Sequence, residues 1–218
     1  MTFYSDAWAS SVAQAFINGY SDGHSGVTSY IDIGVSNDDD NWACSSGNWS
    51  SAGTAWGQLV NALTPRSNVV VQGADDFEVW WDSQDNWGAC GAGAVAWLNA
   101  YTAATTDFMD DFGSDGNAEN SSLWSVAQVY DVSWGIGAAV PLPEIYCSGQ
   151  QQEWVGIRRY GTMTFFGVSS ENGAYFGNGC NGSSYTNTYT WQQSWNNLNN
   201  SLTSAGYSND LYSVATIF

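Results

Sequence analysis

Two kinds of apolar patterning alternate from one end of the chain to the other, and this alternation limits the fold class more than any motif does. Residues 6–20 repeat apolar side chains at helical spacing, with Trp8, Val12, Phe16 and Ile17 on one face and Ser5-Asp6 supplying the chemistry of a helix start. Short β-rich runs at 29–35, 68–74, 107–112, 129–134, 162–168 and 211–217 predict strands, and segments 50–63, 92–105, 121–128, 143–155 and 189–204 predict helices between them. Strands joined through helices run parallel, so the pattern predicts an α/β protein with a mainly parallel sheet. No composition break or proline-rich linker interrupts the 218 residues, which predicts a single domain over 1–218. A closed (β/α)8 barrel uses about 250 residues. Six units therefore predict a small, incomplete barrel or an open doubly wound sheet. The first clear element is a helix, and the expectation is that an opening strand lies outside this sequence.

Charge removes whole classes of function. Three arginines, Arg66, Arg158 and Arg159, face 21 acidic residues for a net charge of −18, and there is no lysine. Binding to nucleic acid or to anionic membrane surfaces is dominated by Lys and Arg contacts, so neither is an expected partner. A P-loop lysine and a Schiff-base lysine are absent by composition. His24 is the single histidine, which argues against a Ser-His-Asp or Cys-His centre and excludes multi-histidine metal sites. No apolar stretch is long enough to span a bilayer, and the N-terminus lacks the pattern of a signal peptide.

The remaining composition points outside the cytosol. Thirteen Trp, 12 Tyr and 24 Gly stand in a chain that is only 11% charged, the surface chemistry of an exported protein. Four cysteines, widely spaced and without a C-x-x-C, read as two disulfides. Cys44 and Cys90 follow the first and second predicted strands, and Cys147 and Cys180 follow the fourth and fifth. Neighbouring connections share one rim of a (β/α) fold, so the local pairing Cys44–Cys90 and Cys147–Cys180 is predicted, stapling the rim where such folds build their sites.

Several segments carry a family resemblance: 15–20 (AFINGY), 32–37 (DIGVSN), 72–78 (QGADDFE), 111–113 (DFG), 132–135 (VSWG) and 141–146 (PLPEIY). Together they resemble secreted bacterial proteins of unassigned function that look like glycoside-hydrolase-type (β/α) barrels. The resemblance spans most of the chain and implies a TIM-barrel-like fold with a carbohydrate connection.

The sharpest chemical signal is Asp76-Phe77-Glu78 at the end of the apolar run Val69-Val70-Val71. Residues two apart on a strand share a face, so both carboxylates enter one space at the strand's C-terminal mouth. Glycoside hydrolysis uses one carboxylic acid to protonate the leaving oxygen and a second carboxylate as base or nucleophile. Glu78 is the candidate acid and Asp76 its helper; the alternatives are a calcium ligand pair or a solvated strand end. Glu144 in Leu-Pro-Glu-Ile-Tyr also faces the expected mouth, although Pro143-Glu144 reads better as an ordinary helix start, where a carboxylate complements the positive end of the helix dipole. Asp32, Asp111 and Asp131, at or near strand ends, complete the acidic lining. Trp80, Trp81 and Trp134 offer apolar platforms for sugar rings. The oxygen-rich stretches 38–41 and 110–117 carry the chemistry of Ca²⁺ loops without matching an EF-hand, and solvated acidic loops are their plainer reading. No other cofactor is indicated.

Three classes stay open on the sequence. The first is an extracellular glycoside hydrolase acting on polysaccharide through Glu78 and Asp76. The second is a carbohydrate-binding module with the same cleft and no competent acid/base pair. The third is a self-associating structural or filament-forming subunit, suggested by the low charge, the disulfides and the shortened barrel.

Overall fold

The computed structural model describes residues 5–24, 26, 28–36, 44–79, 90–113, 118, 121–146, 149–170, 175–176, 185–186, 189–208, 210–212 and 216–217. Helix α1 (Asp6–Gly23) starts where Ser5 accepts a hydrogen bond from the Trp8 N–H. It leads into β1 (Ser29–Ser36), and then α2 (Asn48–Ala62), β2 (Val69–Asp76), α3 (Gly91–Ala104) and β3 (Met109–Asp111) alternate as the patterning requires. Helix α4 (Val126–Tyr130) opens with a Ser125–Gln128 capping box and continues into a π-helical turn (Asp131–Gly135) before β4 (Ala139–Pro141). Helix α5 (Gln150–Tyr160), β5 (Ser169–Ser170), an antiparallel pair β6 (Tyr175–Phe176) and β7 (Tyr185–Thr186), α6 (Trp191–Ser204) and β8 (Thr216–Ile217) complete the order.

The first four strands form one parallel sheet in the order β1-β2-β3-β4. A parallel bridge between Glu144 and Ser169 continues the pairing from β4 to β5, and β5 pairs in parallel with β8. Successive strands are thus neighbours in chain order with no reversal of direction, unlike a doubly wound sheet, whose order turns back at a switch point. The molecule is a mixed α/β protein wound one way. Among the described residues no strand pairing joins β8 to β1, so a closed ring is not seen.

Alternation divides the two faces of β2. Val69 and Val71 pack with Ile31, Leu59, Leu63, Ala13 and Ile17 under α1 and α2. A Cβ on Gly73 would strike the Tyr101 ring of α3. The odd-numbered residues therefore face the helices, and Val70, Gln72, Ala74 and Asp76 face the other way. The main core lies beneath α2 to α6 and includes Trp49, Trp97, Trp154, Tyr101, Phe77 and Phe165, all at most 1% exposed. Arg158 ties α5 to the segment before the last strand, with Nε 2.7 Å from Asp210 Oδ2 and its guanidinium over the Tyr207 ring. Among the described residues no helix is long and apolar enough to cross a membrane.

Several expectations need correction. The fifth strand, expected at 162–168, is the short Ser169–Ser170 run, with a single bridge from Phe165 to Leu211 before it. Residues 129–134 are helical rather than a strand, because the Ser125–Gln128 capping box starts a helix there and the fourth strand is the short Ala139–Pro141 run. The α1 face expected to be buried is not: Ile17 is fully buried, but Trp8, Val12 and Phe16 are 47%, 47% and 57% exposed, and Ala13 takes the inward position. The predicted helix at 143–155 begins only at Gln150. The Cys44–Cys90 disulfide forms as expected between the segments that follow β1 and β2. Cys147 and Cys180 lie outside the described residues.

Candidate functional site

The carboxylates at the C-terminal end of the sheet come from three consecutive strands. Alternation persists beyond the end of β2: Phe77 and Val79 are 1% and 4% exposed, whereas Asp76 and Glu78 are half-buried on the other side. Ser36, at the matching end of β1, donates its hydroxyl to Asp76 Oδ2 at 3.2 Å. Glu144 follows β4 on the strand-like extension that bridges to Ser169. It lies well before the start of α5 and caps no helix, so its carboxyl is free to join those of β2.

Glu144 is where the group becomes chemically distinctive. Burial raises its pKa well above the usual carboxylate range, and the negative charges of Glu78, then Asp76 and Asp111, push it the same way. The Tyr146 hydroxyl donates to Glu144 Oε1 and opposes that rise. Tyr146 is itself buried, and burial together with the charge of Glu144 keeps its phenol protonated, so it serves as a fixed donor. Glu-x-Tyr on extended backbone puts both side chains on one face. That spacing was visible in the sequence, but Tyr146 was read there only as part of a family segment.

Asp111 holds this region to the helical layer. It is 2% exposed, accepts from the Gly113 N–H at 3.2 Å through Oδ1, and lies 2.5 Å from Ser133 Oγ through Oδ2. Burial, followed among the raising influences by the charge of Asp76, lifts its pKa to about 7 against the two hydrogen bonds that lower it. Its oxygens are turned to protein, so it shapes the field of the mouth without reaching into it. Gly113 makes the close approach that this requires, since a Cβ there would sit 2.2 Å from the Phe77 carbonyl oxygen.

A second acidic pair lies on the same sheet face, with Asp110 buried and Asp32 exposed at the sheet edge. Gln72 on β2 donates to Asp110 Oδ2 on β3, and Asp110 interacts with Asp32 of β1. Burial first, then the charge of Asp32, raises Asp110 to about 8, and burial also raises Asp32. Two like charges this close share a proton rather than ionise together. Asp32 thus lies away from Asp76, Glu78 and Glu144, in a pairing that the strand pattern alone did not reveal.

The other sequence candidates are dispersed. Trp134 and Asp131 occupy the π-helical turn that leads into β4, and Trp134 packs partly buried against the main core. Trp80, Trp81 and residues 38–41 lie outside the described residues. Among the described residues no group of three or more His, Cys, Asp or Glu is arranged to hold a metal ion. No protein-family model matches the chain and no curated protein matches it, so the chemistry of the mouth itself has to carry the functional reading.

Proposed function

We propose that the chain is an extracellular protein of the glycoside-hydrolase barrel type that hydrolyses polysaccharide, with Glu144 as proton donor and Glu78, supported by Asp76, as the second carboxylate. The single observation that carries this reading is the environment of Glu144, where burial and three neighbouring acids favour the protonated form and Tyr146 fixes one oxygen. A general acid must hold its proton at working pH and release it to the leaving oxygen. Glu144 fits that role better than Glu78, which the sequence alone favoured. Glu78 is the neighbour whose charge acts most strongly on Glu144, and as base or nucleophile it would face an oxocarbenium-like transition state. Asp76, held by Ser36, adds negative charge beside it. The Cys44–Cys90 bridge supports an oxidising compartment.

Release of reducing ends from a panel of plant and bacterial cell-wall polysaccharides tests this. Glu144→Gln and Glu78→Gln should each lower turnover by at least about 10² while polysaccharide binding survives. Wild-type turnover by either variant would remove that residue's role. Binding without hydrolysis by the native chain would make it a carbohydrate-binding protein instead.

A further inference from the structure

We propose that the groove between α5 and α6 is a binding site for an acidic sugar, a uronate, whose carboxylate is taken by Arg159. All of its lining comes from these two helices and the residue that ends α6, and none from the strand ends. The site therefore stands apart from the mouth and does not depend on hydrolysis there. Its volume is about 280 Å³, near the lower end for ligand clefts.

Helical spacing builds the groove. Gln151, Val155 and Arg159 recur every four residues on α5, and Asn197, Asn200 and Ser201 recur at three and four on α6, so each set lies on one helix face. Val155 is 1% exposed and forms part of the floor. Gln152 donates from Nε2 to Ser201 Oγ at 2.9 Å, which ties the two walls together. Apart from Arg159, the polar lining consists of amides and hydroxyls.

Charge sets this groove apart from the rest of the molecule. The chain carries −18, yet no carboxylate lines the groove and α6 contains no charged residue. Glu153, the one acid of α5, is two residues from Val155 and so lies about 160° round the helix from it. Arg158 is held by Asp210 and the Gly161 carbonyl, and Arg66 donates its Nε to Asn18. Arg159 is exposed along the groove, and among the described residues no carboxylate pairs with it.

The lining selects the ligand. A guanidinium presents paired N–H groups that match a carboxylate. Amides and hydroxyls both donate and accept, as the ring hydroxyls of a sugar do. A phosphate dianion calls for more positive charge or a helix N-terminus, whereas Arg159 is a single cation in the last turn of α5. An acidic peptide or lipid would bring apolar groups against polar walls. One exposed cation in an open groove sets the dissociation constant on the order of 1 mM.

An NMR titration of the native chain with a disaccharide of glucuronic acid tests this, read at the side-chain amides of Gln151, Asn197 and Asn200. These signals should shift and saturate, and the carboxyl-reduced disaccharide and inorganic phosphate should each bind at least about tenfold more weakly. Arg159→Gln should weaken binding of the acidic disaccharide by at least about tenfold. Arg66→Gln, which removes the same charge from an exposed site outside the groove, should not. Amides that do not respond, equal affinity for the neutral sugar or for phosphate, or unchanged binding by Arg159→Gln would overturn the proposal.

Discussion

Asp111 Oδ2 and the Val129 carbonyl oxygen both lie within hydrogen-bonding reach of one hydroxyl, Ser133 Oγ, at 2.5 and 2.8 Å. A hydroxyl has a single proton, so Ser133 gives it to Asp111 when that carboxyl is ionised, which lowers the pKa, and a protonated Asp111 can in turn donate to Ser133 and leave the hydroxyl proton to Val129. Burial outweighs these hydrogen bonds and raises the Asp111 pKa to about 7. A carboxyl raised in the folded state adds stability that is complete below its unfolded value and lost as pH climbs through the folded one. Stability should therefore fall between about pH 4 and pH 8, with Asp110 acting in the same direction. Asp111→Asn keeps both hydrogen bonds without titrating. It should match the native chain at pH 5 and exceed it at pH 8 by on the order of 2–4 kcal/mol in denaturant unfolding. Equal losses in both proteins between those pH values would contradict the assignment. At this scale the sequence was partly legible: the D-x-E alternation followed from strand geometry, whereas the burial that distinguishes Glu144 and Asp111 depends on neighbours distant in the chain.

Helices α2 and α3 meet through glycine, and this contact sets the spacing of the layer over β1 to β3. A Cβ on Gly53 would lie 2.0 Å from the Trp97 carbonyl oxygen, and one on Gly57 would lie 2.9 Å from the Tyr101 carbonyl oxygen. Backbone cannot yield as a flexible side chain does, so Gly53→Ala should cost at least about 2 kcal/mol. Gly47→Ala, at the helix N-cap with nothing within 4 Å, should stay within about 0.5 kcal/mol. Comparable denaturation midpoints for the two variants would show that the close approach is unimportant. Elements with a strong period, such as β1, β2, α2 and α3, were legible from the sequence to within a few residues. The segment around Trp134 was not, because the β-rich composition of 129–134 competes with a capping box that begins at Ser125 and prevails. The exposed stripe on α1 misled for a related reason: periodicity identifies an apolar face but not what covers it.

Across the whole molecule, alternating elements in chain order set the ends of β1 to β4 in one row, so residues as far apart in sequence as Ser36, Glu78 and Glu144 come to one end of the sheet. The order of the strands was readable from the alternation; closure into a ring was not, since it depends on pairing between the two ends of the sheet. The Cys44–Cys90 bridge, with a sequence separation of 46, spans the connections after β1 and β2. Replacing both cysteines by serine should lower stability by about 2–4 kcal/mol, chiefly by freeing the unfolded chain, as read by thermal or denaturant unfolding. A change well below 1 kcal/mol would show that the loop is held by other means. The proposed chemistry rests on a protonated Glu144 set among negative neighbours, and a ¹³C NMR titration of the glutamate carboxyls reads that directly. Glu144 should titrate well above the ordinary glutamate range and move downward in Glu78→Gln, where its strongest charged neighbour is neutral. A Glu144 that titrates at the ordinary value, or that ignores the loss of Glu78, would contradict the assignment of a proton donor at this mouth.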